Sequence, residues 1–186
     1  MEAIDIPPDS QKRLLDLSRR TLNNFVGGLG RENPDITDTY LMTPEYGAFV
    51  SLHKERELRG CIGICFPTRP LYETTIEMTE AAASQDNRVS QVRESELRQI
   101  HIEISILSPL HLAPDPLSLT VGTHGLYVAS GRKRGVLLPQ VATEHGWDLK
   151  TFLCQVCRKA DLPQDAWKWQ ETRILGFTTL IIREES

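Results

Sequence analysis

The run Gln99-Ile100-His101-Ile102-Glu103-Ile104-Ser105-Ile106-Leu107 constrains the fold of this chain more than any other segment. Its isoleucines recur at every second position, with His101, Glu103 and Ser105 between them. Successive side chains of a strand point to opposite faces, so this pattern predicts a half-buried β-strand with one core side and one polar side. β-Branched residues suit such a surface, and strict alternation is not helical spacing. Residues 57–66 repeat the period. Leu58, Gly60, Ile62, Ile64 and Phe66 share one parity, and Arg59, Cys61, Gly63 and Cys65 share the other. The expectation is that Leu58, Ile62, Ile64, Ile100, Ile102, Ile104 and Ile106 are all buried on the core side of one sheet.

Residues 46–53 read as the partner arm of a hairpin closed by the charged turn Lys54-Glu55-Arg56. Residues 9–26 form an amphipathic helix, capped by Asp9 or Ser10, with a stripe of Leu14, Leu15, Leu17, Leu22, Phe25 and Val26; Gly27, Gly28 and Gly30 end it. A helix spans 70–85, with Pro70 in its first turn, and a short one follows near 94–97. Segments 126–129 and 135–138 flank the turn Ser130-Gly131-Arg132-Lys133-Arg134 as a hairpin. Pro139 opens a short helix through Glu144, Asp148 caps another, and 172–183 is a closing strand. Strands in hairpins with helices between them make an α+β fold, a largely antiparallel sheet with flanking helices.

The 186 residues suit one domain, 1–186, or one domain with two lobes. A chain of that size buries about 70% of its unfolded surface and needs no staples. No apolar run reaches membrane-spanning length, so no membrane partner is expected. The start, Met1-Glu2-Ala3-Ile4-Asp5-Ile6-Pro7-Pro8, has neither the basic nor the apolar stretch of a secretory signal. A cytoplasmic protein with four reduced thiols, Cys61, Cys65, Cys154 and Cys157, is the expectation. The net charge of −4 argues against general nucleic-acid affinity but leaves room for a small basic patch.

Several segments together resemble the AMMECR family, whose bacterial and archaeal members are called AmmeMemoRadiSam system protein A. They are Gly47-Ala48-Phe49-Val50, Leu58-Arg59-Gly60-Cys61-Ile62-Gly63, Ile104 through Pro109, Gly125-Leu126, Gly135 through Ala142 with Leu138-Pro139-Gln140-Val141 at its centre, and Gly146-Trp147-Asp148. Cys157-Arg158-Lys159-Ala160 is a weaker match. The resemblance covers nearly the whole chain, and Arg-Gly-Cys-Ile-Gly is its signature. It implies an α+β fold with a larger and a smaller lobe, and a place in a modification pathway beside MEMO-like and radical-SAM proteins. It implies no particular reaction. The chain departs from the family twice. Asp86-Asn87-Arg88-Val89 stands where the family reads Asp-Pro-Arg-Phe, and Lys159-Ala160-Asp161 where it reads Lys-Ala-Gly.

Parity gathers the candidate chemistry. Arg59, Cys61 and Cys65 take the polar side of their strand, His101, Glu103 and Ser105 that of the isoleucine strand, and Ser51 and His53 that of the first hairpin arm. A cysteine is nucleophilic as thiolate, which a cation such as Arg59 or a protonated histidine favours. Cys61, Arg59, His101 and Glu103 are the catalytic candidates. Gly60, Gly63, Asp86, Arg88 and His53 are the binding candidates, with Gly63 allowing a ligand close to the backbone. The plainer reading is a sheet with one wet face, on which polar residues need no role and Cys61 is a small packed side chain.

No cofactor and no metal are expected. Cys61 and Cys65 have Thr68 where a radical-SAM motif needs its third cysteine, and Cys154-x-x-Cys157 lies inside an amphipathic helix, not in zinc-binding turns. Arg132-Lys133-Arg134 is a basic tip, most simply solvated charge. Trp147, Trp167 and Trp169 read as core residues more than as a base-stacking platform. Two function classes stay open. One is an enzyme or enzyme subunit with Cys61 as its reactive group. The other is a non-catalytic adaptor that recognises a protein or RNA through the Arg59–Gly63 strand and Arg88.

Overall fold

The structure, a computed structural model, describes residues 3–184 except Glu32 and Arg56. Met1 and Glu2 of the N-terminal reading, and Arg56 of the charged turn, therefore lie outside the described residues. The chain divides into two compact units. The larger is Asp5–Leu107 with Leu180–Ser186, and the smaller is Met1–Ile4 with Ser108–Thr179.

The larger unit carries helix α1 (Pro8–Val26), strands β1 (Gly47–Lys54) and β2 (Glu57–Ile64), helix α2 (Leu71–Ser84) and strand β3 (Ile100–Leu107). A 3-10 helix, Glu94–Gln99, occupies the place of the expected short helix. The smaller unit carries β4 (His111–Leu112), β5 (Gly125–Ser130), β6 (Lys133–Leu137), α3 (Pro139–Glu144), α4 (Leu149–Lys159) and β7 (Arg173–Phe177). The expected closing strand is broken at Thr178. Its first half is β7, and its second, β8 (Thr179–Arg183), joins a different sheet. Among the described residues there are two four-stranded sheets, ordered β2-β1-β3-β8 and β4-β7-β5-β6.

In the first sheet β1 is central and runs antiparallel to both β2 and β3. Ala48, Val50 and Leu52 of β1 and Ile100, Ile102, Ile104 and Ile106 of β3 are buried, with Leu14, Leu17 and Leu22 of α1 and most of α2 completing the core. Phe25, expected in the α1 stripe, is exposed. The helix has no side-chain cap, and Ser10 instead donates its hydroxyl to Asp38 at 2.9 Å.

Strand β2 corrects the parity argument. Ile62 is only half-buried, and Leu58 and Ile64 are exposed at 42% and 37%. Two physical reasons account for this. β2 is an edge strand, and its pairing with β1 shifts register between Leu52 and His53. Leu52 faces Gly60, but His53 faces Leu58, so one extra residue enters β2 there as in a β-bulge. Past the shift Leu58 lies with His53 on the non-core face, because directly opposed residues share a face.

The smaller unit packs Leu126, Val128, Phe152, Leu153, Val156, Cys157 and Ile174 into its own core, with Trp147 and Trp167 partly buried against it. Asp148 caps α4, accepting from the Thr151 N–H at 2.8 Å. The β5–β6 turn is tighter than the sequence suggests, with Lys133 and Arg134 already in β6. Among the described residues, no helix is long and apolar enough to cross a membrane.

Candidate functional site

Sheet register builds the site around Cys61. Ser51 of β1 lies directly between Cys61 of β2 and Glu103 of β3, and the next row is Leu58, His53 and His101. Ser51 donates its hydroxyl to the Cys61 Sγ at 3.2 Å. The cysteine is half-buried.

Among the described residues the outer side of β2 has no partner strand, and at Cys61 a turn after α2 takes that place. Asp86, only 7% exposed, accepts the Cys61 N–H at 2.9 Å. Arg88 donates to the Cys61 carbonyl at 3.2 Å. The two side chains also bind each other through paired bonds, Nε to Oδ1 at 2.8 Å and Nη2 to Oδ2 at 2.6 Å. Such a bidentate ion pair fixes both groups. Asp86's carboxyl is therefore held well below the usual carboxylate range, chiefly by Arg88 and then by the N–H groups of Cys61 and Arg88. Arg88 in turn is held more firmly protonated, chiefly by Asp86.

Arg59 has a different task. Its guanidinium pairs with both Glu96 oxygens, at 3.0 and 2.9 Å, and bonds the carbonyls of Ser90 and Gln91. Lys54 adds a 3.6 Å contact to Glu96. These cations and the Arg93 N–H pull the Glu96 carboxyl down to about 2, Arg59 contributing most. Arg59 thus ties β2 to the segment after α2, and the cation that reaches Cys61 is Arg88.

Two glycines of the signature serve packing. A Cβ on Gly60 would lie 2.1 Å from the Ala82 carbonyl oxygen, so α2 rests directly on the strand there. A Cβ on Gly63 would lie 2.1 Å from Phe49 Cγ, so the space assigned above to a ligand is filled by the Phe49 ring. His53 and His101 are paired across β1 and β3, with His101 exposed. Glu103 contacts Arg183 at 3.4 Å. The structure thus brings Cys61, Ser51, Asp86 and Arg88 into direct contact and leaves Arg59 bound to Glu96. Ser51 and Glu96 were not candidates in the sequence. Strand parity already places the Ser51 hydroxyl on the thiol's side of the neighbouring strand, without giving it a role.

The other thiols differ. Burial pushes Cys65 up to about 12 and Cys157 up to about 11. Among the described residues all four cysteines are free, and no three His, Cys, Asp or Glu side chains form a metal-holding group.

Comparison with known proteins agrees with the resemblance. The AMMECR1 family model matches residues 15–182. A protein of Methanothermobacter thermautotrophicus is 37% identical over the full length of both chains. One of Thermococcus onnurineus is 40% identical over 92% of this chain and 89% of its own. The crystal structure of the uncharacterized protein PH0010 from Pyrococcus horikoshii superposes with a TM-score of 0.90 at 34% identity, covering 97% of this chain and 94% of that one. Fold, signature strand and relatives agree, and the chain belongs to the AMMECR1 family.

Proposed function

We propose that this chain is an enzyme, or the subunit of one, that uses Cys61 as a nucleophile and works beside MEMO-like and radical-SAM proteins in one modification pathway. The observation that carries the nucleophile is the thiol's surroundings. A half-buried sulfur receives the Ser51 hydroxyl at 3.2 Å, and a fixed guanidinium stands at its own residue's carbonyl. The partners rest on the family resemblance alone.

In the proposed step the thiol gives its proton to water, and a sulfur lone pair forms a bond to an electrophilic carbon of the substrate. The leaving group departs with its bonding pair and takes a proton from water. Attack by a second nucleophile then frees the sulfur. Asp86 positions Arg88 at the Cys61 carbonyl, and Ser51 orients the sulfur before attack.

The adaptor reading draws less support, because Arg59, its recognition cation, spends its donors on Glu96, Ser90 and Gln91. Iodoacetamide alkylation followed by peptide mass spectrometry separates the two. Cys61 is expected to react at least about tenfold faster than Cys65, and Ser51→Ala and Arg88→Gln are expected to slow it. In the parent cell, Cys61→Ser should abolish the pathway's activity while leaving the fold intact. Equal alkylation of Cys61 and Cys65, or full activity of Cys61→Ser, returns Cys61 to the role of a packing residue.

A further inference from the structure

The smaller unit holds a groove of about 500 Å³ that the Cys61 reading does not use. Its walls include Leu112, Pro114, Trp167, Trp169, Thr172 and Ile174. The volume is that of a small-ligand pocket, and the apolar character is concentrated in an exposed Leu112 and a partly exposed Trp169. We propose that this groove binds an extended acidic peptide segment of a partner protein.

Three observations carry the choice of occupant. First, two polar atoms on these walls, Trp167 Nε1 and Thr172 Oγ1, are buried without a hydrogen-bond partner among the described residues. Both atoms lie just beneath the surface, so an outside acceptor meets them only when the side chain turns toward the groove. An indole N–H can only donate, and a peptide carbonyl is its ordinary partner in aromatic grooves that hold extended, proline-type backbones.

Second, the charged residues on the groove wall are Lys168 and Arg173, and among the described residues it has no carboxylate. Lys168 Nζ already stands 5.2 Å from the Trp167 ring centroid, so a carboxylate there meets a cation held over an aromatic face. Third, the charge of the chain is uneven. Residues 108–179 contain eight basic and six acidic side chains, a net +2, within a chain of net −4. Two cations suit one or two carboxylates. A nucleic-acid backbone asks for a longer basic track, which this groove does not offer.

The test uses the full chain and a fluorescein-labelled peptide alternating proline and aspartate around one leucine, titrated by anisotropy. The same peptide with lysine for aspartate, and a labelled oligouridine, are the comparison probes. Saturable binding of the acidic peptide is expected, weakened at least about tenfold by Trp169→Ala and by Arg173→Glu, with the basic peptide inert. Both substitutions sit at exposed positions, and unchanged thermal melting confirms the fold. The proposal is overturned by no binding of the acidic peptide, by binding that neither substitution changes, or by oligouridine binding that Trp169→Ala abolishes.

Discussion

Strands β2 and β6 are both sheet edges, and each is notched by a glycine on which a helix rests. A Cβ on Gly60 of β2 would lie 2.1 Å from the Ala82 carbonyl oxygen of α2; one on Gly135 of β6 would lie 2.8 Å from the Val156 carbonyl oxygen of α4. They differ in what guards the outer side. β6 begins with exposed Lys133 and Arg134, charges of the kind that keep edges from pairing, with Lys133 bonded to the Asp161 carbonyl. β2 has a buried acid and its arginine bonded to one residue's N–H and C=O. The second device also fixes the place of a thiol. That difference is the reason to seek chemistry at β2 and not at β6, since a reactive group needs a rigid support.

The largest expected effect tests the shared notch. Gly60→Ala pushes a methyl group into helix backbone and is expected to cost about 3 kcal/mol or more, near the upper end for overpacking. Gly135→Ala, with a looser contact, is expected to cost about 1–2 kcal/mol. Urea denaturation of the two variants ranks them, and the reverse order would break the comparison.

Asp86→Asn tests the guard. It removes the charge that holds Arg88 and weakens the bond to the Cys61 N–H, at a cost of about 2 kcal/mol. The Cys61 amide, which donates to Asp86, should exchange with solvent faster in the variant than in the parent. Acid adds a second readout. Asp86's folded carboxyl lies below its ordinary value, near 3.8, so its contribution is complete above that value and is lost as pH falls below it. Glu96, drawn down to about 2, acts in the same direction. Melting temperature should therefore fall on acidification below about pH 5, and less steeply in Asp86→Asn than in the parent. Equal slopes would show that the clamp contributes nothing.

The smallest effect lies at the end of the helix resting on β6. Asp161 adopts a φ of +54°, a left-handed conformation that favours glycine, and this is where the family reads Lys-Ala-Gly. Asp161→Gly is expected to stabilise by about 0.5–1 kcal/mol, read as a rise in melting temperature.

The isoleucine strand was legible because β3 is paired on both sides and its isoleucine face is buried throughout, although Ser105 and Leu107 on the other face are buried as well. The β1 polar face followed from the same parity. β2 was legible only in part. Its register shift arises from backbone pairing with β1 and leaves no mark in hydrophobic spacing, so Leu58 was assigned to the wrong face. The same limit hid the clamp. Asp86 and Arg88 stood out as a charged pair, but the main-chain atoms of a residue 25 positions earlier are invisible to local pattern. The break at Thr178 was hidden for a related reason. A continuous apolar run says nothing about which sheet each half joins.

Phe49 over Gly63 has a consequence for anything that reaches Cys61. On that face of β1 and β2, the row of Ser51 and Cys61 runs between the row of Phe49 and Gly63 and the row of His53 and Leu58. Alternate residues of a strand are about 7 Å apart, so the sulfur sits between an aromatic ring on one flank and an imidazole with an isobutyl group on the other. Any group that reaches the sulfur along this face passes between those two flanks.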